Sequence, residues 1–103
     1  MVFCSPQNPT GDVFGRDELE KLARKAAEHH LAVISDEIHA DLSYAKHLSM
    51  AEVAKDFPIQ CAVCMAPSKT FNVAGEHFSV VVTRDEELRN RLEAMKEQNR
   101  IGE

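Results

Sequence analysis

The sequence has a deficit of positive charge, few cysteines and no long apolar run. It contains 12 lysine and arginine residues against 17 aspartate and glutamate residues, a net charge of −5. This balance argues against a nucleic-acid partner, whose phosphates require a basic surface. A membrane span needs roughly 18 consecutive apolar residues, and no run approaches that length, so no membrane partner is expected. The three cysteines, an odd number, fit a reducing cytoplasm better than a disulfide framework.

The residue types that bind metals are present, but their spacing does not favour a metal site. Cys61 and Cys64 form a C-x-x-C pair within an apolar run. Residues three apart in a strand point to opposite faces of the sheet, so this pair is expected neither to share a metal nor to form a disulfide. His29, His30 and His47 show no metal-binding spacing, and we expect them on the surface. No metal is predicted.

At 103 residues and 44% hydrophobic content, the chain is long enough for one core of a globular protein. Short apolar runs predict strands over residues 1–4, 31–34, 61–65 and 78–82. Helical spacing of leucine and alanine predicts a helix over residues 16–29.

Two capping-box motifs predict the starts of two further helices. Ser49 with Glu52 precedes a short apolar segment, and Thr83 with Glu86 precedes a helix that is expected to run almost to the C-terminus. The resulting order, β-α-β-α-β-β-α, predicts an α/β fold with at least three parallel strands. The connection over residues 69–77 is too short for a crossover helix, so we expect the fourth strand to be antiparallel.

Three polar side chains follow the first three predicted strands. Asn8 lies in a loop with two prolines, Asp36 follows the second strand by two residues, and Lys69 lies in a loop of small and hydroxyl residues. Parallel sheets bind ligands beyond the carboxyl ends of their strands, so these side chains should line one edge. An acid and a lysine in one crevice form either a structural ion pair or a functional site. A lysine amine held out of water is a potential nucleophile.

The same loops carry a resemblance to a known family. The segments Asn-Pro-Thr-Gly at residues 8–11, Ser-Asp-Glu-Ile-His-Ala-Asp-Leu at 35–42 and Ala-Pro-Ser-Lys-Thr-Phe-Asn at 66–72 resemble three signatures of class I/II aminotransferases, which are fold type I enzymes dependent on pyridoxal 5'-phosphate (PLP). The last two segments are most similar to the cystathionine β-lyase (C–S lyase) branch of the MalY/PatB type. The resemblance implies that residues 1–103 are part of a three-layer α/β large domain. The N-terminal part of that domain and the C-terminal small domain would then be absent.

The resemblance implies a role for five residues. Lys69 would be the catalytic residue, forming a covalent imine with the cofactor aldehyde and moving the substrate Cα proton. Asp36 would pair with the pyridine nitrogen, and Asn8 would donate to the phenolic oxygen of the ring. His39 stands where many relatives have a tyrosine that contacts the same oxygen. Ser68 would contact the cofactor phosphate.

His77 departs from the family pattern. Aminotransferases of this class usually carry an arginine eight residues beyond the lysine, where it binds the cofactor phosphate, and here that position is His77. A histidine can donate a hydrogen bond to the phosphate, but it lacks the permanent charge and the bidentate geometry of a guanidinium.

The implied function is α,β-elimination from a small sulfur-containing amino acid, giving pyruvate, ammonia and a thiol. A class I/II aminotransferase is the alternative enzyme, and a truncated remnant that acts through protein interaction is the alternative without catalysis. The family is usually homodimeric. The 103 residues alone are expected to be inactive. Because the first strand would have an unpaired edge, they could also self-associate.

Overall fold

The computed structural model describes residues 1–99, which contain a four-stranded sheet. The strands are β1 (Val2–Cys4), β2 (Val33–Asp36), β3 (Cys61–Met65) and β4 (Val80–Thr83), and they lie in the order β1-β2-β3-β4. The first three are parallel, and β4 pairs with β3 in the antiparallel direction. The predicted α/β fold with an antiparallel last strand is therefore confirmed.

The register of the sheet places Cys4, Asp36 and Cys64 in one row across the three parallel strands. Val81 of β4 continues the row beyond Cys64. The carboxyl ends of β1, β2 and β3 therefore reach the same edge of the sheet. The loops that follow these three strands all begin there.

Two helices and two short 3₁₀ turns connect the strands, and a third helix follows β4. The helices are α1 (Arg16–Glu28), α2 (Met50–Ala54) and α3 (Glu86–Gln98), and the turns cover Ala40–Leu42 and Ala74–Glu76. Among the described residues, no helix combines the length and the apolar character needed to cross a membrane. The predicted extension of α3 towards the C-terminus ends at Gln98, and residues 100–103 lie outside the described part.

The capping box predicted for α3 is wrong. Thr83 remains in β4, where its hydroxyl donates to the carbonyl of Cys61 at 2.7 Å. Asp85 caps the helix instead, and its carboxylate accepts from the peptide N–H of Leu88 at 2.6 Å. The pairing of β4 with β3 extends to Thr83, so the helix starts two residues later than a Thr83 cap would allow.

The cap predicted for α2 is correct in its first residue only. The Ser49 hydroxyl accepts from the peptide N–H of Ala51 at 3.2 Å, as an N-cap should. Glu52, however, forms an ion pair with Lys55 rather than closing the box.

The core lies between the sheet and the first two helices. Its members are apolar side chains of α1, α2 and β2 that are at most 7% exposed: Leu19, Ala23, Ala26, Val33, Met50, Val53 and Ala54. Burying a large apolar side chain contributes about 1.5–3 kcal/mol. In contrast, none of the described residues of α3 is buried. The stability of the chain therefore depends mainly on the contact of α1 and α2 with the sheet.

Truncating Leu19, which is 1% exposed, is predicted to lower the free energy of unfolding. The Leu19→Ala variant loses apolar burial and leaves a cavity, so the expected loss is about 2–5 kcal/mol in urea unfolding. Leu42→Ala is the matched control, because Leu42 is 51% exposed and its truncation should cost less than about 0.5 kcal/mol. Equal losses in the two variants would contradict this account of the core.

Candidate functional site

Backbone hydrogen bonds join the ends of the three parallel strands. The peptide N–H of Ser5 donates to the carbonyl of Asp36 at 3.1 Å, and the N–H of Glu37 donates to the carbonyl of Cys64 at 2.9 Å. Parallel pairing thus continues one residue past β1 and one past β2. The three loops that follow consequently start side by side.

The first loop presents Asn8 on a closed turn. The Gln7 N–H donates to the carbonyl of Asp12 at 2.9 Å, and the Gly11 N–H donates back to the carbonyl of Gln7 at 2.7 Å. Gly11 has φ +79°, a left-handed conformation that a glycine adopts without steric cost. Asn8 is exposed within this turn, so its amide is available to a ligand.

Asp36, the last residue of β2, is half-buried and oriented by its own backbone. Its Oδ1 accepts from the peptide N–H of Ile38 at 3.1 Å. Among residues 1–99, no donor contacts Oδ2. One carboxylate oxygen therefore fixes the orientation of the side chain while the other can accept a hydrogen bond from a ligand.

The third loop carries Ser68 and Lys69 on two overlapping turns. The Phe71 N–H donates to the carbonyl of Pro67 at 2.9 Å, and the Val73 N–H donates to the carbonyl of Ser68 at 3.1 Å. Ser68 is half-buried, but Lys69 is exposed rather than held out of water. Within the described part of the chain, Lys69 has no ion-pair partner, so its amine is accessible.

A cavity of about 470 Å³ lies between the first loop and the segment after β2. Its lining includes Asn8, His39 and the exposed Tyr44. Of the six predicted site residues, the structure thus places Asn8 and His39 in this one cavity. Asp36, Ser68, Lys69 and His77 lie outside its lining.

A smaller cavity of about 260 Å³ lies between the segment after β2 and the loop of Lys69. Ile38 and Asp41 line one side, and Pro67 and Phe71 line the other. The second and third loops therefore share a cavity, as do the first and second.

His77 lies apart from these cavities, at the end of the second 3₁₀ turn. It is exposed and has φ +49°, which is uncommon for a residue with a side chain. The turn places the imidazole before β4 rather than at the carboxyl end of a parallel strand.

The structure also contains a buried carboxylate, Glu37, that is not among the predicted site residues. Glu37 is 3% exposed and its Oε2 lies 2.8 Å from His47 Nε2. His47 is half-buried, so its predicted surface position is wrong. His29 and His30 are exposed, as predicted. Strand alternation could have revealed Glu37, because it puts Glu37 on the same face as the buried Ser35.

The two cysteines of the C-x-x-C pair occupy different environments. Cys61 packs against the core, whereas Cys64 lies beside Asp36 in the sheet. Burial raises the pKa of the Cys61 thiol to about 11, and the nearby Glu37 carboxylate contributes to the rise. Burial, followed by the charge of Asp36, also raises the pKa of Cys64. Among the described residues, no three His, Cys, Asp or Glu side chains are grouped to hold a metal ion.

The sequence matches the family model "Aminotransferase class I and II" over residues 1–100. The chain belongs to this family. Cystathionine beta-lyase PatB of Bacillus subtilis is 39% identical over 99% of the chain and 27% of its own length. Aspartate aminotransferase of Bacillus sp. YM-2 is 38% identical over 73% of the chain and 20% of its own length.

Solved structures give the same relationship. The PLP-bound C-S lyase of Staphylococcus hominis has a TM-score of 0.82 and 35% identity over 90% of this chain and 24% of its own. The chain spans about a quarter of the length of the relatives it matches. The family inferred from the sequence motifs is confirmed, and so is the α/β fold that this family implied.

The raised pKa of Cys61 predicts a loss of stability at alkaline pH. The folded state holds the thiol proton more tightly than the unfolded state, because the thiol pKa rises from 9.0 to about 11 on folding. This stabilisation is complete below pH 9.0 and is lost as the pH increases through about 11. Urea unfolding is measured from pH 8 to 11. The difference in free energy of unfolding between the wild type and Cys61→Ala should shrink as the pH rises, because only the wild type loses this contribution.

Val63→Ala is the matched control for this measurement. Val63 is buried in the same strand but does not titrate. Its truncation should lower the free energy of unfolding by the same amount at every pH. A constant gap between Cys61→Ala and the wild type would contradict the expected linkage.

Proposed function

We propose that the protein containing these residues is a PLP-dependent C–S β-lyase. The observation that carries the proposal is the alignment of three strand ends, which brings the loops of Asn8, Asp36 and Lys69 to one edge of the sheet. The match to cystathionine beta-lyase PatB over 99% of the chain supports the choice of reaction. We further propose that residues 1–103 are part of the cofactor-binding large domain.

The polar groups at this edge fit the cofactor chemically. PLP has a pyridine nitrogen that needs an acceptor when protonated, and the free Oδ2 of Asp36 can supply it. The accessible amine of Lys69 can react with the aldehyde. Asn8 and His39 share a cavity and can both donate to the phenolic oxygen. The hydroxyl of Ser68 can donate to the phosphate.

His77 suits the cofactor phosphate less well than the usual arginine does. A histidine can donate one hydrogen bond to the phosphate. The arginine usual in aminotransferases donates two hydrogen bonds and carries a permanent positive charge. The exposed position of His77 at the end of the 3₁₀ turn also puts it in water, where such a contact is screened.

Bound PLP supplies an electron sink that makes the substrate Cα proton acidic. In the proposed reaction, Lys69 Nζ removes this proton and the substrate loses its thiolate from Cβ. Asp36 keeps the proton on the pyridine nitrogen, so the carboxylate stabilises the charge that develops during proton removal. The overall change consumes one water and yields pyruvate, ammonia and a thiol.

An aminotransferase is the second candidate. The 38% identity to an aspartate aminotransferase favours it, and the family model covers both activities. The two reactions share the removal of the Cα proton and diverge afterwards. The residues proposed to hold the cofactor would serve both reactions equally.

We propose that the isolated 103-residue chain binds PLP weakly and is inactive. Asn8 and Lys69 are both exposed, and water competes with a ligand for such groups. A homodimeric full-length protein, a sulfur-containing amino-acid substrate and a cytoplasmic location belong to the same proposal.

The cofactor assignment predicts a visible absorption band on titration with PLP that depends on Lys69. In the full-length protein, Lys69→Ala should abolish the band, because Lys69 is the amine proposed to form the imine with the cofactor aldehyde. Lys21→Ala is the matched control, since Lys21 is an exposed lysine on α1. A band of equal strength in Lys69→Ala would overturn the proposed role of Lys69.

Product analysis separates the two candidate reactions. With L-cystathionine as the sole substrate, a lyase should release pyruvate, ammonia and a thiol in equal amounts. An aminotransferase should instead need a 2-oxo acid and release no ammonia. The Asp36→Asn variant should lose on the order of 100-fold or more in rate in either case, because an amide does not keep the pyridine nitrogen protonated.

A further inference from the structure

The carboxylate of Glu37 is buried beside Asp36 and accepts hydrogen bonds from four side-chain and backbone groups. Oε1 accepts from the hydroxyl of Ser35 at 2.9 Å, the hydroxyl of Ser49 at 3.1 Å and the peptide N–H of Met50 at 2.8 Å. Oε2 is 2.8 Å from His47 Nε2. A buried carboxylate is stable only when it is well supplied with donors, and this one is.

The donors come from both ends of one segment of the chain. Ser35 belongs to β2, whereas His47 and Ser49 precede α2 and Met50 is its first residue. Glu37 therefore closes a loop over residues 38–46. This loop carries His39 and much of the lining of the larger cavity.

Glu37 is also coupled to Asp36 through the backbone. The two residues are adjacent and extend from the same strand, so their side chains leave the sheet on opposite faces. The Glu37 N–H donates to the carbonyl of Cys64, and the Ile38 N–H donates to Asp36 Oδ1. A rotation of the backbone at Glu37 would break the contact that orients Asp36.

His47 completes the network from the side of the loop. An ionised carboxylate can only accept, so the imidazole donates a hydrogen bond from Nε2 to an ionised Glu37. Nδ1 is buried and, among residues 1–99, has no hydrogen-bond partner. The imidazole thus has a single polar contact in the described chain, and that contact is Glu37.

We propose that Glu37 and His47 are positioning residues that together hold Asp36 and His39 in place for the cofactor. The inference rests on the proposed function, since it concerns the residues assigned there to PLP. Neither Glu37 nor His47 is proposed to touch cofactor or substrate. They act through the loop that they close and through the peptide bond to Asp36.

The first test needs no cofactor. Amide hydrogen exchange in the 103-residue chain reports the Ile38 N–H, which contacts Asp36, and the Ala23 N–H in the buried part of α1. His47→Leu should lower the protection of Ile38 by about ten-fold and leave Ala23 unchanged, because only the local opening becomes easier. His47→Gln should restore protection, since its amide can donate to the same oxygen.

Matched variants keep this test decisive. His29→Leu removes an exposed histidine at the end of α1 and should change neither amide. If His47→Leu does not fold, Ser35→Ala removes one donor to Glu37 while keeping the strand, and should again affect Ile38 alone. Unchanged protection at Ile38, or an equal loss at Ile38 and Ala23, would overturn the proposal.

The second test uses the full-length protein loaded with PLP. Release of the cofactor, followed by its visible absorption, should be about ten-fold faster in His47→Leu than in the wild type and near normal in His47→Gln. If the wild type holds no PLP, the proposed function fails whatever the exchange data show. If it holds PLP and His47→Leu releases it at the wild-type rate, the positioning proposal alone fails.

Discussion

The parallel pairing of β1, β2 and β3 is the constraint on which the candidate site depends. Parallel neighbours must end at the same edge, and the register aligns Cys4, Asp36 and Cys64 there. Each strand then passes directly into its loop. Three polar segments that are far apart in the sequence become neighbours for this reason. An antiparallel partner in the middle of the sheet would have sent one of these loops to the opposite edge.

The strand geometry also places two adjacent acidic residues in different environments. Asp36 and Glu37 follow each other, yet alternation directs them to opposite faces of the sheet. Glu37 enters the core, where it binds Ser35, Ser49, Met50 and His47 and becomes a structural carboxylate. Asp36 keeps one oxygen free at the edge. The half-buried Asp36 thus lies directly next to a buried hydrogen-bond network.

Much of the remaining surface of the sheet is open. Val2 is 77% exposed and Ile34 38%, on the face opposite α1 and α2, and the valines of β4 are 40–51% exposed. Exposed apolar strands of this kind tend to associate with other protein surfaces.

The sequence determined the succession of strands and helices, the antiparallel β4 and the family, because these depend on local signals. Apolar runs, the short connection over residues 69–77 and three motifs in the correct order were sufficient. Boundaries were less predictable. Thr83 and Asp85 both have capping side chains, and only the pairing of β4 with β3 decided which one begins α3.

The tertiary structure decided burial and partnership, which no local pattern encodes. His47 has the sequence context of a surface residue and becomes half-buried because Glu37, ten residues earlier, reaches it through the core. Lys69 lies in a motif typical of an active site, but its side chain is exposed to solvent in the described part of the chain. Local sequence thus fixed which side chains follow each strand. Long-range packing fixed which of them are shielded from water, because that depends on the segments that cover them.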